Sequence, residues 1–223
     1  MKYLLAILVS TILAYPAFAE EDAGSGKGLK VKITRAIPYV DIKDENGKTV
    51  RIQRNQNTDN RINDAFSKTS RKCPPFCIQP MSLAPRVETI GERQMLDYLK
   101  RKGDGDDSIV VIDSRGADWV KRGSIPGAIN LHWKKLTLKH GSEEEIAEMF
   151  EDIFGVQRTA EFWNFAGAKT LVLFCNGVWC GQSPTNIKSL LRLGYPPQRL
   201  KWYRGGMQNW EILGLTTTST PSR

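Results

Sequence analysis

The chain has 223 residues, of which 40% are hydrophobic and 25% charged, with a formal net charge of +8. This length suffices for one globular domain with a sizeable core plus an N-terminal extension, and the positive charge favours anionic substrates or acidic partners. Nucleic acid is excluded as an expected partner, because the arginines of residues 51–72 are spread through a mixed segment without a recognised binding motif.

The first 19 residues have the pattern of a secretory signal peptide. Lys2 gives a basic start, residues 4–14 form an apolar core, and residues 17–19 fit a small-x-small cleavage site. The apolar core is shorter than the roughly 20 residues that a membrane-spanning helix needs, so no stable membrane anchor is expected. The pattern predicts export, with the bacterial periplasm as the simplest destination.

Residues 20–86 are predicted to form an N-terminal extension that contains a β-hairpin. Residues 29–34 and 49–52 alternate apolar and polar side chains, and Asn46-Gly47 lies between them. This combination is the strongest local signal of a hairpin. Because two strands alone are marginally stable in water, we expect the hairpin to lie against the larger domain. The polar residues 53–72 predict a connector with one short helical turn.

The four cysteines form two closely spaced pairs, Cys73 with Cys77 and Cys175 with Cys180. An even number of cysteines in an exported protein favours disulfides, but four cysteines permit three complete pairings. For the first pair we predict a short disulfide loop, made rigid by two prolines, that pins the extension to the domain. A redox-active pair that exchanges with Cys175 and Cys180 is the alternative. The spacing of the second pair is unlike that of zinc sites, and neither a metal nor a cofactor is predicted.

From residue 89 onward, strands and helices alternate. Buried strands are predicted at 109–113, 128–131, 171–174 and 200–203, and helices at 91–102, 118–120, 143–154 and 184–193. This alternation predicts an α/β fold, with a mostly parallel sheet flanked by helices on both faces. Ligand sites in such sheets lie beyond the carboxyl ends of the strands, which is where Cys175 falls.

The most informative segment is the loop that follows the predicted strand 171–174. It begins at Cys175, the candidate nucleophile, and ends where Ser183 and Pro184 fit a helix N-cap and a first helical residue. Backbone N–H groups and the helix N-terminus are expected to stabilise a thiolate here. A buried structural cysteine is the alternative reading of this segment alone. The predicted active-site loop comprises Asn176, Gly177, Val178, Trp179, Cys180, Gly181, Gln182 and Ser183.

Four segments, taken together, resemble the rhodanese-like sulfurtransferase domain. They are the strand end 113–115, the Ile-Pro-Gly-Ala turn at 125–128, the cysteine loop and the Gly-Gly-x-x-x-Trp segment at 205–210. They occur in the family's order, and we expect residues 87–218 to form this domain. The resemblance implies that Cys175 carries sulfane sulfur, as a persulfide, from a small anionic donor such as thiosulfate to a thiol or cyanide-like acceptor. The alternative is a rhodanese-like binding module, either non-catalytic or active in thiol–disulfide exchange with a periplasmic redox protein.

Three further residues receive a role from this interpretation. The cysteine loop contains neither Arg nor Lys, which argues against a Cys-x5-Arg phosphatase. Arg115 is therefore a candidate for the missing contact to an anion, and Asp113 is expected to fix the loop after its strand. Cys180 is the candidate resolving thiol, which would expel sulfide from a Cys175 persulfide and form a disulfide.

Overall fold

The computed structural model describes residues 28–218, except residues 45, 138, 160 and 161. The predicted signal peptide, residues 1–19, lies outside this described part of the chain. Among the described residues, no helix combines the length and the apolar character that crossing a membrane requires.

The secondary structure alternates between strands and helices, as the sequence predicts. The strands are β1 (Tyr39–Lys43), β2 (Thr49–Gln53), β3 (Glu88–Ile90), β4 (Ile109–Asp113), β5 (Ile129–Asn130), β6 (Gln157–Arg158), β7 (Trp163–Asn164), β8 (Thr170–Phe174) and β9 (Leu200–Tyr203). The helices are α1 (Asp64–Ser67), α2 (Glu92–Gly103), α3 (Ala117–Val120), α4 (Glu143–Glu148), α5 (Gln182–Arg192) and α6 (Gly206–Ile212). A π-helical turn, Met149–Ile153, continues α4, and short 3₁₀ helices form at Trp133–Leu136 and Pro197–Arg199.

The predicted α/β fold is confirmed by a five-stranded sheet in the order β3-β9-β8-β4-β5. Every pairing in this sheet is parallel. The central strand β8 and its neighbour β4 consist almost wholly of buried apolar residues. Such continuous apolar runs are expected where helices cover both faces of a parallel sheet.

The sheet separates two hydrophobic cores. Successive side chains of a strand point to opposite faces, so Leu171 and Leu173 of β8 join one core while Val172 and Phe174 join the other. The first core contains side chains of α4 and α5, and the second contains side chains of α2 and α6. The covering of both faces therefore agrees with the predicted architecture.

The predicted N-terminal hairpin is present, but its first strand is not residues 29–34. The hairpin pairs β1 with β2 around a loop in which Asp44 accepts hydrogen bonds from the backbone of Asn46 and Lys48. Residues 39–43 also alternate apolar and polar side chains. Because they lie next to this loop, they pair with β2 in place of residues 29–34. Val40, Ile42 and Ile52 of the hairpin join the core beside α2, so the hairpin lies against the larger domain.

The carboxyl ends of β4, β8 and β9 lie side by side at one edge of the sheet. The backbone N–H of Ser114, just after β4, donates to the carbonyl of Phe174 at the end of β8 (3.0 Å). Cys175 follows Phe174, and Arg204 follows β9. This edge brings together the residues that the sequence analysis assigns to the site.

Candidate active site

Cys175 lies at the end of β8 and beneath the first turn of α5. The helix begins at Gln182 with Gly181 as its N-cap, so the prediction of Ser183 as N-cap is wrong. Ser183 lies inside the first turn, where its hydroxyl donates to Cys175 Sγ (3.2 Å). The hydroxyl therefore donates to the cysteine sulfur and does not cap the helix.

The sulfur of Cys175 is surrounded by hydrogen-bond donors. Burial alone raises the pKa of Cys175, since only 2% of the residue is exposed. Hydrogen bonds from the Cys180 thiol, the Ser183 hydroxyl and the backbone N–H groups of Ser183 and Gly177 outweigh this effect and lower the pKa to about 7. Cys175 is therefore poised to form a thiolate at neutral pH.

Cys180 has the opposite tendency. Both cysteines are free thiols, and burial together with the neighbouring Cys175 sulfur raises the pKa of Cys180 well above its usual value. The Cys180 thiol also lies 3.7 Å from Gln182 Oε1, and Cys175 Sγ lies 3.4 Å from the Cys180 carbonyl oxygen. Of the two thiols, Cys175 is therefore the one that loses its proton first as the pH rises.

Trp202 contributes to the site, although the sequence places it only within the predicted buried strand 200–203. Its indole Nε1 donates to Ser183 Oγ (3.2 Å), on the buried side of the site. An indole N–H is only a donor, so Ser183 accepts from Trp202 and keeps its own proton for Cys175. No local pattern indicates this contact, because the two residues come from different elements.

Asp113 and Arg115 form a buried ion pair behind the loop. Arg115 Nη2 and Nε lie 2.6 and 2.8 Å from the carboxylate, whose side chain is 1% exposed. Ser124 also donates to this carboxylate, and Arg115 Nη1 donates to Asn176 Oδ1 (3.3 Å). Arg115 therefore supports the start of the loop, and its complete burial leaves no exposed face for an anion.

The start of α6 braces the same loop. Met207 and Gln208 donate their backbone N–H groups to the carbonyls of Cys175 and Asn176, each at 2.9 Å. Gly206 has a φ of +55°, and a Cβ at this position would lie 2.8 Å from Gly177 N and would collide with the Cys175 carbonyl. Only glycine permits this close approach.

A disulfide joins Cys73 to Cys77, within a stretch that covers the loop. We call residues 71–81 the disulfide segment. Gln79 of this segment donates its backbone N–H to the Val178 carbonyl (2.8 Å). The ring of Phe76 meets the Trp179 ring edge-on, with centroids 5.4 Å apart. The segment therefore packs directly on the middle of the cysteine loop.

Two arginines hold the disulfide segment in place. Arg204 donates to the carbonyls of Gln79 (2.8 Å) and Pro80 (3.1 Å). The guanidinium of Arg71 lies over the Trp179 ring at 4.6 Å from its centroid, and its Nη2 donates to the Ala65 carbonyl. The buried Nε of Arg71 has no hydrogen-bond partner within the part of the chain that the structure describes. Sequence patterning had not indicated this cation beside the loop.

The sequence analysis considers a metal site at the cysteines and predicts none. In the described ranges, no group of three or more His, Cys, Asp or Glu side chains is arranged to hold a metal ion. The two loop cysteines instead contact each other and the polar atoms already described.

The family model for the rhodanese-like domain matches residues 95–213, which are more than half of the chain. The chain belongs to the rhodanese-like domain family. The match includes the cysteine loop and the start of α6, and it leaves the hairpin and the disulfide segment outside. These two parts are additions of this chain to the matched region.

Several solved structures are similar to this rhodanese-like chain. A possible tyrosine phosphatase of unknown function from Rhodopseudomonas palustris is 20% identical, with 59% of this chain and 85% of that chain covered and a TM-score of 0.41. SseA from Escherichia coli is described as a 3-mercaptopyruvate sulfotransferase with the rhodanese fold. It is 20% identical, the match covers 55% of this chain and 43% of SseA, and the TM-score is 0.36. An As/Sb reductase from Leishmania major is 18% identical, the match covers 58% of this chain and 92% of the reductase, and the TM-score is 0.40. No curated protein matches the sequence.

Proposed function

We propose that this protein is a periplasmic sulfurtransferase in which Cys175 carries the transferred sulfur as a persulfide. The observation that carries the proposal is the set of donors around Cys175, which lowers its pKa to about 7 although the residue is buried. A thiolate is the nucleophilic form of cysteine, and at neutral pH a large share of Cys175 is in this form.

The proposed reaction has two steps at one sulfur atom. The Cys175 thiolate attacks the outer sulfur of a small anionic donor such as thiosulfate. A bond forms to Sγ, the sulfur–sulfur bond of thiosulfate breaks, and sulfite leaves with the electron pair. A thiol or cyanide-like acceptor then attacks the outer sulfur of the persulfide, and Cys175 returns as a thiolate.

The same donors that stabilise the thiolate suit the persulfide. The N–H groups of Gly177 and Ser183 and the Ser183 hydroxyl converge on the sulfur of Cys175. Fixed donors of this kind need no reorganisation when charge develops, which is how backbone cradles stabilise anions. Asn176 and the Arg115–Asp113 pair support this role by holding the beginning of the loop.

Arg71 is the proposed contact for the charge of the donor. The loop has no cation of its own, and Arg115 is engaged with Asp113. Arg71 lies over Trp179 and has an unpartnered Nε among the described residues. Arg71→Gln is expected to raise KM for thiosulfate several-fold. The control is Arg122→Gln, which removes an exposed arginine that lies over the neighbouring Trp119 ring.

Export is part of the proposal. The basic start, apolar core and cleavage pattern of residues 1–19 support it, as does the Cys73–Cys77 disulfide, since disulfides persist in oxidising compartments. Fractionation of a bacterial host that expresses the full chain tests it. The shortened protein is expected in the periplasmic fraction, and a full-length protein in the cytoplasm contradicts export.

The activity is tested by the formation of thiocyanate from thiosulfate and cyanide. Cys175→Ser is expected to abolish turnover, because the persulfide cannot form. Cys180→Ala is expected to slow turnover without abolishing it, because it removes one donor to Cys175 and leaves the nucleophile. Turnover that survives Cys175→Ser, or no turnover by the wild-type protein after mild reduction, overturns the proposal and favours a binding module.

A further inference from the structure

The two cysteine pairs differ in oxidation state and in exposure. Cys73 and Cys77 form a disulfide, and Cys73 is exposed to solvent. Cys175 and Cys180 are free thiols that are only 2% and 5% exposed. The protein thus holds an accessible disulfide and an inaccessible dithiol.

The accessible pair lies against the loop that carries the inaccessible pair. The Gln79 side-chain amide donates to the Cys77 carbonyl (2.9 Å). The same Nε2 atom lies 3.7 Å from where a Cβ of Gly181, the neighbour of Cys180, would be. One amide group therefore spans the space between Cys77 and the end of the cysteine loop. Thiol–disulfide exchange needs such proximity, because it passes through a mixed disulfide.

The burial of Cys175 creates a difficulty that the exposed pair resolves. If Cys180 attacks Sγ of a Cys175 persulfide, sulfide leaves and a Cys175–Cys180 disulfide forms. Both cysteines of this disulfide are buried, with 2% and 5% of the residues exposed, so a folded reducing protein would have little access to it. A second dithiol that reaches the buried disulfide from within the chain removes this obstacle.

We propose that Cys73 and Cys77 form a redox relay, which returns the Cys175–Cys180 disulfide to the dithiol form and passes the oxidising equivalents to a dithiol reductant outside. The proposal rests on the sulfurtransferase function. It names the electron donor for the reaction in which Cys180 attacks the Cys175 persulfide and sulfide leaves. In the reduced relay, one thiolate of the exposed pair attacks the buried disulfide and forms a mixed disulfide. Its partner thiolate then attacks this bond, which closes the Cys73–Cys77 disulfide and leaves Cys175 and Cys180 as thiols.

The electrons balance over the whole cycle. Sulfane sulfur gains two electrons and leaves as sulfide, and the buried dithiol supplies them. The exposed dithiol restores these two electrons, and an external dithiol in turn reduces the exposed disulfide. The structure, with its exposed disulfide and buried dithiol, corresponds to the state before the external reductant acts.

The experiment follows one equivalent of sulfur through fully reduced protein. The protein is treated with a reductant until all four cysteines are thiols. The reductant is then removed, and one equivalent of thiosulfate is added under argon. After an acid quench, free thiols are alkylated with N-ethylmaleimide and the peptides are located by mass spectrometry, while released sulfide is measured in parallel. We expect about one sulfide per protein and a disulfide at Cys73–Cys77. A disulfide that remains at Cys175–Cys180 overturns the relay.

Two variants, each lacking one pair, separate transfer within a chain from transfer between chains. In Cys73→Ser/Cys77→Ser, the disulfide is expected to stay at Cys175–Cys180. This variant is then mixed with reduced Cys175→Ser/Cys180→Ser, which has only the exposed pair. Transfer in the mixture is expected to be at least tenfold slower than in wild type. Equal rates overturn a relay within the chain.

The failure of the sulfurtransferase function gives a different result from the failure of the relay. If Cys175 takes no sulfur and no sulfide appears, the sulfurtransferase function fails. Wild-type protein is then oxidised with excess diamide to two disulfides, the diamide is removed, and one equivalent of a dithiol reductant is added before the thiols are located in the same way. Thiols at Cys175 and Cys180 that do not appear in Cys73→Ser/Cys77→Ser treated alike support exchange between the pairs, and thiols that stay at Cys73 and Cys77 overturn it.

Discussion

Trp202 Nε1 donates to the hydroxyl oxygen of Ser183, and this contact determines the direction of the hydrogen bond between Ser183 and Cys175. With one lone pair occupied by the indole, the hydroxyl proton points to the sulfur. A hydroxyl held in this way stabilises the thiolate without first having to reorient. The buried tryptophan thereby acts on the nucleophile through Ser183.

Ser183→Ala is expected to raise the pKa of Cys175, because it removes a donor to the thiolate. A hydrogen bond to a charged group contributes about 1.5–3 kcal/mol, so the rate of persulfide formation at pH 7 should fall about tenfold or more. Stopped-flow measurement of sulfite release checks this. At a pH well above the raised pKa the variant should recover much of its rate, whereas a loss equal at all pH values would contradict the assigned role.

Trp202→Phe tests the hydrogen bond from Trp202 to Ser183 and keeps most of the aromatic volume. Without the indole N–H, the Ser183 hydroxyl is free to rotate, and the pKa of Cys175 is expected to rise less than in Ser183→Ala. The two changes should not be additive, because they act through one hydrogen-bond chain. A double variant whose effect equals the sum of the single effects contradicts the coupling.

The thiol pair should titrate in two well-separated steps. Because donors lower the pKa of Cys175 to about 7 while burial and the neighbouring sulfur raise that of Cys180, only one thiolate should form between pH 5 and 9. Thiolate absorbance near 240 nm, with the Cys73–Cys77 disulfide intact, measures it. Cys180→Ala should move the step to higher pH, and Cys175→Ala should remove it. Two thiolates that form together below pH 9 contradict this account.

Asp113→Ala is expected to destabilise the fold by about 3–5 kcal/mol, because it leaves the Arg115 charge buried without its partner. The control is Lys100→Ala, which breaks an exposed ion pair with Asp104 at the C-terminal end of α2. That pair should contribute less than about 1 kcal/mol. Urea unfolding compares the two variants, and similar losses would show that the buried pair contributes little.

Gly206→Ala is expected to disturb the cysteine loop as well as the backbone of α6. A side chain at positive φ costs about 1–2 kcal/mol, and here the Cβ would also collide with the Cys175 carbonyl. Gly47 provides the control, because its φ is +73° and a Cβ would meet nothing within 4 Å. Thermal unfolding should show a larger loss for Gly206→Ala, and only this variant should change the thiolate titration.

The central sheet could be predicted because its strands are short apolar runs with polar ends. The predicted strands 109–113 and 200–203 coincide with β4 and β9, since burial on both faces leaves little ambiguity in such runs. The first hairpin strand was misplaced because residues 29–34 and 39–43 both alternate. Periodicity does not discriminate between two such stretches, and the loop around Asp44 decides between them.

The position of Cys175 could be predicted from strand order, but its hydrogen-bond partners could not. Trp202 reads as a core residue of β9, and only the packing of β9 against α5 brings its indole to Ser183. The disulfide segment is a comparable case, because residues 71–81 have no regular periodicity. Its position over Trp179 results from contacts of Gln79 and Arg204 with residues distant in sequence.

The most direct test of the account locates sulfur on the protein. Cys180→Ala, which lacks the neighbouring resolving thiol, is incubated with thiosulfate while its Cys73–Cys77 disulfide is intact, and it is analysed as intact protein and as peptides by mass spectrometry. The account predicts one additional sulfur atom on Cys175 that cyanide removes. A protein that gains no sulfur, or gains it only at Cys73 or Cys77, contradicts the claim that Cys175 is the sulfur-carrying nucleophile.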